Sequence, residues 1–512
     1  MFKDLISHLR PVYVEDCLGE HRVRSLARVG SINMGKQIIG IFLRLLGTVC
    51  LSRILPPSTF GLIAMVAFFR GLMDMVSGSG FVESAIQKKV LSLDELNGVF
   101  WLNLSLSIIL SIIFIASGPL IARFYSEPEI AAICTVYGLL FILENLFRTH
   151  DALLRRTMNA EVSFIVFLLP QLVNLPVAIA LALTGFGVWA IIGAGVFSAI
   201  AQRLLYMYFV RWNPGRFKRT AGFGSMLKYG LNSMSASIVN YCSMYSQNLA
   251  LGRYGSPADV GFYNRGQAIF LMPVQLVSQP IAQMLLPALS VLQHDKKKLL
   301  SLLLRATWLV VLIVMPFTIF MIVYGDWAIE LLLGEEWLLS GKVTQWLAVA
   351  SVPVLVCNLI GRGNAAIGRP GRGVPVAVVS LPFLLYGVAI YASSGPVAIA
   401  IVYALYRWVF YPISIAYHLK GSGFPIKEFI LSQLSLFAII VPAFLILASA
   451  RYYLNDSLGI ARIGLMFVTL ITSYTIFLYS YRHYKYGRQV LNWINQRFGQ
   501  KLSVFRFIIP SE

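Results

Sequence analysis

The chain of 512 residues is 58% hydrophobic and only 12% charged, with a formal net charge of +20. Soluble domains average about 45–50% apolar and about 25% charged residues, so composition excludes that class and leaves a polytopic membrane protein. The positive balance reads as inner-loop Lys and Arg that orient the spans, not as a nucleic-acid surface, and the five isolated cysteines (Cys17, Cys50, Cys134, Cys242, Cys357) form neither a disulfide framework nor a metal spacing.

Residues 1–30 carry charges every few positions and hold no apolar core of a signal peptide. They read as a cytoplasmic arm, with the first span retained as a signal anchor. Apolar stretches of bilayer-spanning length then fall near 31–52, 60–78, 97–117, 130–148, 161–183, 186–209, 227–249, 262–289, 303–324, 343–361, 373–391, 396–418, 427–449 and 461–481. The expected fold class is all-α and polytopic, with about 14 transmembrane helices. With the N-terminus inside, 30 of the 42 Lys and Arg lie in inner segments or at inner span ends, 6 on the outer side and 6 inside spans. A wrong span count would scramble that bias, so both termini are expected in the cytoplasm. The longest outer loop, 325–342, is acidic and partly amphipathic and is expected to lie along the membrane surface; the basic tail reads as an amphipathic helix on the inner leaflet.

An ionisable side chain at mid-bilayer costs about 2.5–3.5 kcal/mol and so marks a cavity or a partner. On the first span Asn33, Lys36, Gln37, Gly40, Arg44, Gly47 and Thr48 share one helical face and Ile38, Ile39, Phe42 and Leu45 the other. The polar face lines an interior, unless carboxylates on neighbouring helices take up both cations. On the second span Arg70 and Asp74, four apart, form either a self-neutralising pair or a ligand contact. Glu144, near the inner end of the fourth span, suits a pairing with Lys36 or a proton or sodium site. Arg203 is expected to snorkel to the inner interface, and Arg407, mid-span, has no assignable role. The seventh span carries an amide and hydroxyl series (Asn232, Ser233, Ser237, Asn240, Gln247, Asn248). The eighth carries Arg265 near its outer end, Gln275, Gln279 and Gln283 at i, i+4 and i+8, and three prolines (Pro273, Pro280, Pro287) that each remove a backbone bond and permit bending. Amides in these places serve either interhelical hydrogen bonds or a ligand's hydroxyls.

The chain also repeats itself. Leu51, Arg53, Pro57 and Gly61 in LSRILPPSTFGL recur as Leu251, Arg253, Pro257 and Gly261 in LGRYGSPADVGF, at a constant offset of 200, and DALLRRTM (151–158) is weakly echoed by NAAIGRPG (364–371). Both copies share one orientation, so the repeat is parallel and implies a pseudo-two-fold axis along the membrane normal with a path between the halves. The expected layout is an arm (1–30), an N-lobe of six spans (31–209), a basic cytoplasmic connector (210–226), a C-lobe of six spans (227–418), two further spans (427–481) and a basic cytoplasmic tail (482–512).

The runs LLGTVCLSRILPPSTFGLIAMVAFF, FVESAIQKK, FWLNLSLSIIL and above all LGRYGSPADVGFYNRGQAIFLMPVQLVSQPIAQMLLPALSVLQHD resemble the Wzx-type polysaccharide flippases, in the colanic-acid-like branch of the multidrug/oligosaccharidyl-lipid/polysaccharide exporter superfamily. The resemblance implies a two-lobe transporter of the bacterial inner membrane that moves undecaprenyl-pyrophosphate-linked oligosaccharide from the inner to the outer leaflet. It makes Lys36, Arg44, Arg70 and Arg265 a ladder of positive charge for the pyrophosphate, whose oxygens guanidinium forks bind bidentately. Gln275 and Gln279 then meet the glycan, and Asp74 and Glu144 are candidates for ion coupling. No cofactor, metal, nucleic acid or catalytic residue is expected. The partners are the lipid-linked oligosaccharide and membrane lipids, with association with a polysaccharide polymerase or export machinery left open. Two alternatives stand beside this. A cation-coupled multidrug exporter of the same superfamily is disfavoured by the span count and the cationic interior. A membrane glycan polymerase or ligase is disfavoured by short outer loops that carry no paired carboxylates.

Overall fold

The computed structural model describes residues 12–13, 26–78, 91–157, 159–217, 238, 241–291, 296–366, 370–420 and 426–453, with single positions at 468, 471 and 475. Helix dominates, because a backbone in hydrocarbon finds no water and must satisfy its N–H and C=O groups within the chain. The strand β1 (Val12–Tyr13) is followed by α1 (Leu26–Ser52), α2 (Pro57–Gly78), α3 (Leu93–Tyr125), α4 (Glu129–Leu146), α5 (Arg148–Arg156), α6 (Ala160–Leu183), α7 (Val188–Phe209) and the strand β2 (Val210–Arg211). Helix α8 covers residues 241–254. Then come α9 (Pro257–Val291), α10 (Lys296–Leu333), α11 (Leu338–Val349), α12 (Ser351–Ala366), α13 (Val374–Tyr391), α14 (Pro396–Leu419) and α15 (Ile426–Tyr453).

Among the described residues nine helices are long and apolar enough to cross a membrane, or ten if Glu335–Val349 and Ser351–Gly361, bent by 50° at their junction, make one span. The chain is an all-α polytopic membrane protein. Helices α9 and α15 cover the expected eighth and thirteenth spans. Most of the seventh and fourteenth spans, the connector beyond 217 and the basic tail lie outside the described residues.

Two boundaries differ from the sequence expectation, each for a local reason. Helix α3 starts before residue 97 because Ser92 and Glu95 form a capping box, Ser92 Oγ accepting from Glu95 N and Glu95 Oε2 from Ser92 N, both at 3.3 Å. Residues 325–342 are not a loop separate from the flanking helices. Helix α10 runs on through Asp326, Gly334 turns the chain with a φ of 108° that glycine alone adopts readily, and a 3-10 turn at Glu335–Trp337 leads into α11. Trp337 is fully buried, edge-on to Phe262. Asp326 holds Arg451 of α15 through a two-point fork, Nη1 to Oδ1 at 2.8 Å and Nη2 to Oδ2 at 2.6 Å. One side of this segment, with Ile329, Leu333 and Trp337, is buried.

By its contacts the chain divides into two compact units, residues 1–261 and 262–512. In the first, α3 packs on α4, α6 on α7 and α1 along α6. One end of the unit holds an apolar core in which Phe100, Phe147, Leu153, Val162 and Trp212 meet. The chain leaving α7 is pinned there: Gly215 donates its N–H to Asn97 Oδ1 at 2.9 Å and accepts from Trp101 Nε1 at 2.7 Å. Strand β1 adds in parallel beside β2, Val12 opposite Val210.

The two copies of the repeat touch. A methyl group on Gly61 would overlap the carbonyl of Pro257, and one on Gly261 would overlap the carbonyl of Pro57. A reciprocal contact of this kind is what a two-fold relation between equivalent segments produces, and glycines let helix backbones approach where lipid offers no hydrophobic drive. In the second unit α10 packs on α11 and α15, and α13 on α14.

Candidate functional site

Within the first unit a cavity of about 360 Å³ lies among α1, α2, α4, α5, α6 and α7. Helix α6 begins at Asn159, whose side chain accepts from Val162 N at 3.3 Å. That start sets Ser163 and Phe167, four apart, on the face towards α1. Lys36 of α1 donates to Ser163 Oγ at 3.0 Å and stands 5.0 Å from the Phe167 ring centroid. Gly40, one turn on, leaves room for that ring: a methyl there would stand 2.6 Å from Phe167 Cζ.

Helix α5 supplies the most charge. Arg148, Asp151 and Arg155 line the cavity at i, i+3 and i+7 on one face, while Ala152, Leu153 and Leu154 are buried. Arg148 donates to Ser77 Oγ at 3.1 Å and Asn145 Oδ1 at 2.9 Å. Asp151 accepts from Tyr206 OH at 3.0 Å and pairs with Arg155 at 2.5 Å. Arg203 of α7 donates to the Gln202 side-chain oxygen and, at 3.4 Å, to the Leu143 carbonyl. The wall thus carries Lys36, Arg148, Arg155 and Arg203 against Asp74, Glu144 and Asp151. A neutral oxygen orients a cation without cancelling its charge. Lys36 on Ser163, and Arg203 on Gln202 and Leu143, can therefore still act on an anion.

The sequence-assigned residues distribute as follows. Lys36, Asp74 and Glu144 share this cavity. Arg70 forms an ion pair with Glu144 and stands 5.0 Å from the Tyr137 ring. Neither sequence pairing, Arg70 with Asp74 or Glu144 with Lys36, is the one formed. A same-helix i, i+4 pair contributes only about 0.2–0.5 kcal/mol, whereas Glu144 reaches Arg70 from the facing helix. Arg44 is exposed, two turns beyond Lys36, with its Nε donating to the Gly40 carbonyl of its own helix at 3.2 Å; it is not part of the cavity wall. Arg203 does not snorkel; it is buried. Arg265 and Gln275 sit half-buried on α9 in the second unit, and Gln279 is placed only as a position on that helix. Ser340 Oγ donates to the Phe262 carbonyl at 2.9 Å and Thr344 Oγ1 to that of Gly266 at 3.2 Å, tying the Arg265 turn to α11. Arg407 lies over Tyr403 and Tyr406, 4.9 and 5.7 Å from their centroids, so ring faces accommodate this mid-span arginine.

Sequence reading misses Arg148, Asp151, Arg155, Ser163, Gln202 and Tyr206. Helix α5 is too short and too polar to read as a span, although the i, i+3, i+7 spacing of its charges is visible in RTHDALLRR. Among the described residues no group of three His, Cys, Asp or Glu could hold a metal ion.

The chain is similar to several known proteins. The chain is 24% identical over 329 residues to the succinoglycan biosynthesis transport protein ExoT of Rhizobium meliloti (strain 1021), 62% of this chain and 65% of that protein. It is 27% identical over 331 residues to the lipopolysaccharide biosynthesis protein WzxC of Escherichia coli (strain K12), 63% of this chain and 66% of that protein. The match thus spans just under two thirds of either relative's length. Among solved structures, the lipid II flippase MurJ in an inward closed conformation shares the fold with a TM-score of 0.68, at 14% identity, over 89% of this chain and 99% of MurJ. An inward-facing multidrug resistance MATE family transporter gives 0.57 at 16% identity, over 74% and 94%. The sequence profile of the polysaccharide biosynthesis protein family matches residues 50–341, more than half of the chain. The chain belongs to that family.

Proposed function

We propose that the protein is a transporter, not an enzyme, that flips undecaprenyl-pyrophosphate-linked oligosaccharide repeat units across the bacterial inner membrane by alternating access, for exopolysaccharide or lipopolysaccharide synthesis. The observation that carries this reading is the charged cavity among membrane helices, in which neutral oxygens orient Lys36 and Arg203. Ionisable groups at membrane depth mark a substrate path, and a pyrophosphate requires several cations where water is scarce. The names of ExoT and WzxC support a saccharide cargo, and MurJ, a lipid II flippase, has the same fold. In this reading both termini are cytoplasmic, and lobes 31–209 and 227–418 rock about the repeat axis, with 427–481 appended. Lys36, Arg148 and Arg203 receive the phosphates, and Arg44, Arg70 and Arg265 extend the cationic path. Gln275 and Gln279 contact the glycan. Glu144, with Asp74 beside it, couples an ion by releasing Arg70 when it is neutralised.

The test is a lipid extract from a strain lacking the gene. A pyrophosphoryl-linked saccharide that accumulates, and is cleared by complementation, is the expected result and names the glycan. An unchanged profile, in a strain with no second flippase, overturns the reading. Three carboxylates on the cavity wall favour one other cargo, an organic cation; sensitivity of that strain to cationic drugs, with its lipids unchanged, would establish it.

A further inference from the structure

We propose that Asp151 is a built-in competitor for the anion that the cavity receives, and that Arg155 is the side chain it gives up. The inference rests on the anionic cargo proposed above. Asp151 is held in two ways. One carboxylate oxygen accepts from Tyr206 OH at 3.0 Å, and the other pairs with Arg155 one turn along α5 at 2.5 Å. These partners differ in mobility. Tyr206 is buried, at 7% exposure, in the packed core of the unit, whereas the Arg155 side chain is 61% exposed. When the pair opens, Asp151 stays on the phenol and Arg155 leaves.

What can open it follows from charge. Exposed ion pairs contribute little, so a stronger acceptor displaces the carboxylate from the guanidinium. The pyrophosphate of the cargo, esterified at both ends, still carries two negative charges and four non-bridging oxygens against the one charge and two oxygens of the carboxylate, and is such an acceptor for the planar fork. Lys36, Arg148 and Arg203 stand on the same wall, so the incoming group meets further cations, while Asp151 keeps its bond to Tyr206 and is not stranded. A neutral saccharide has nothing with which to displace Asp151. The pair therefore selects for phosphate, and on departure of the cargo Asp151 retakes Arg155 and lowers the affinity that would hold the anion back.

The experiment uses the full chain in lipid nanodiscs and two probes, inorganic pyrophosphate and undecaprenyl pyrophosphate, against wild type, Asp151→Asn, Arg155→Ala and the double variant. Asparagine keeps an acceptor for Tyr206 and removes the charge. The expected result is a Kd about two- to fivefold lower in Asp151→Asn, the factor that an exposed ion pair represents. Arg155→Ala raises the Kd by a similar factor, and in the Arg155→Ala background Asp151→Asn gives no gain. A gain with both probes assigns the displacement to phosphate itself; a gain with the prenyl probe alone assigns it to a lipid headgroup. Unchanged or weaker binding by Asp151→Asn, at a wild-type melting temperature, overturns the proposal. Should that variant not fold, Arg155→Ala decides: wild-type affinity overturns the proposal and weaker binding supports it. Wild-type protein that binds neither probe overturns the anionic cargo as well, whereas binding without any gain in Asp151→Asn overturns the displacement alone.

Discussion

Arg70 and Glu144 stand 74 positions apart in the chain and form one ion pair, with side chains 20% and 29% exposed. Removing one partner of a buried pair strands the other charge, at a cost of about 3–5 kcal/mol when burial is complete; replacing both by apolar groups is often near neutral. At this partial exposure Glu144→Gln or Arg70→Met alone should cost about 2–3 kcal/mol. The double variant Arg70→Met/Glu144→Met should recover most of the loss in a thermal melt of the detergent-solubilised protein. Losses that simply add would show that the two residues are stabilised independently. Residue by residue, the site is legible where the information is local. The polar face of α1 marks Lys36, because a single helix places every fourth residue together. The partner of Glu144 is not legible, since it depends on which helix packs against α4.

Among whole elements, the repeat at an offset of 200 is visible in the sequence, and its equivalent positions meet: Gly61 against Pro257 and Gly261 against Pro57. The obstacle to any side chain there is backbone carbonyl, which cannot rotate away. Gly61→Ala and Gly261→Ala should each destabilise by about 1–3 kcal/mol, the usual cost of overpacking. Gly30, in α1, has nothing within 4 Å of where a methyl would sit, so Gly30→Ala should be neutral or stabilising by up to about 1 kcal/mol through helix propensity. Melting temperatures of the three variants check the change of sign; a uniform effect would remove the crossing as its cause. Helix α5 marks the limit of such reading. It has nine residues, four of them charged, and its packed side is only a few residues wide. Its helicity and its place on the cavity wall come from burial of Leu153 and Leu154 in the core beside Trp212, a neighbour nearly sixty residues away in the chain.

At the scale of the whole molecule, the proposed orientation depends on one structural question. The pair α11–α12, bent by 50°, either crosses the membrane as one span or dips in and returns. The Lys and Arg bias favours a crossing, since it keeps the basic segment 362–372 on the inner side with the connector and the arm. A crossing places Ser394, at the turn between α13 and α14, outside; a re-entrant pair places it inside. Ser394 is exposed, as are Thr184 at the end of α6 and Asn213 after β2, so single cysteines at these positions report on sidedness without disturbing packing. In a background with the five native cysteines replaced, a membrane-impermeant thiol reagent applied to intact cells permeable to it only as far as the periplasm should label Thr184→Cys and Ser394→Cys. Asn213→Cys should react only after the membrane is opened. Labelling at 184 but not at 394 would make the bent pair re-entrant and reverse every later crossing, placing the end of α15 on the opposite side from the one proposed.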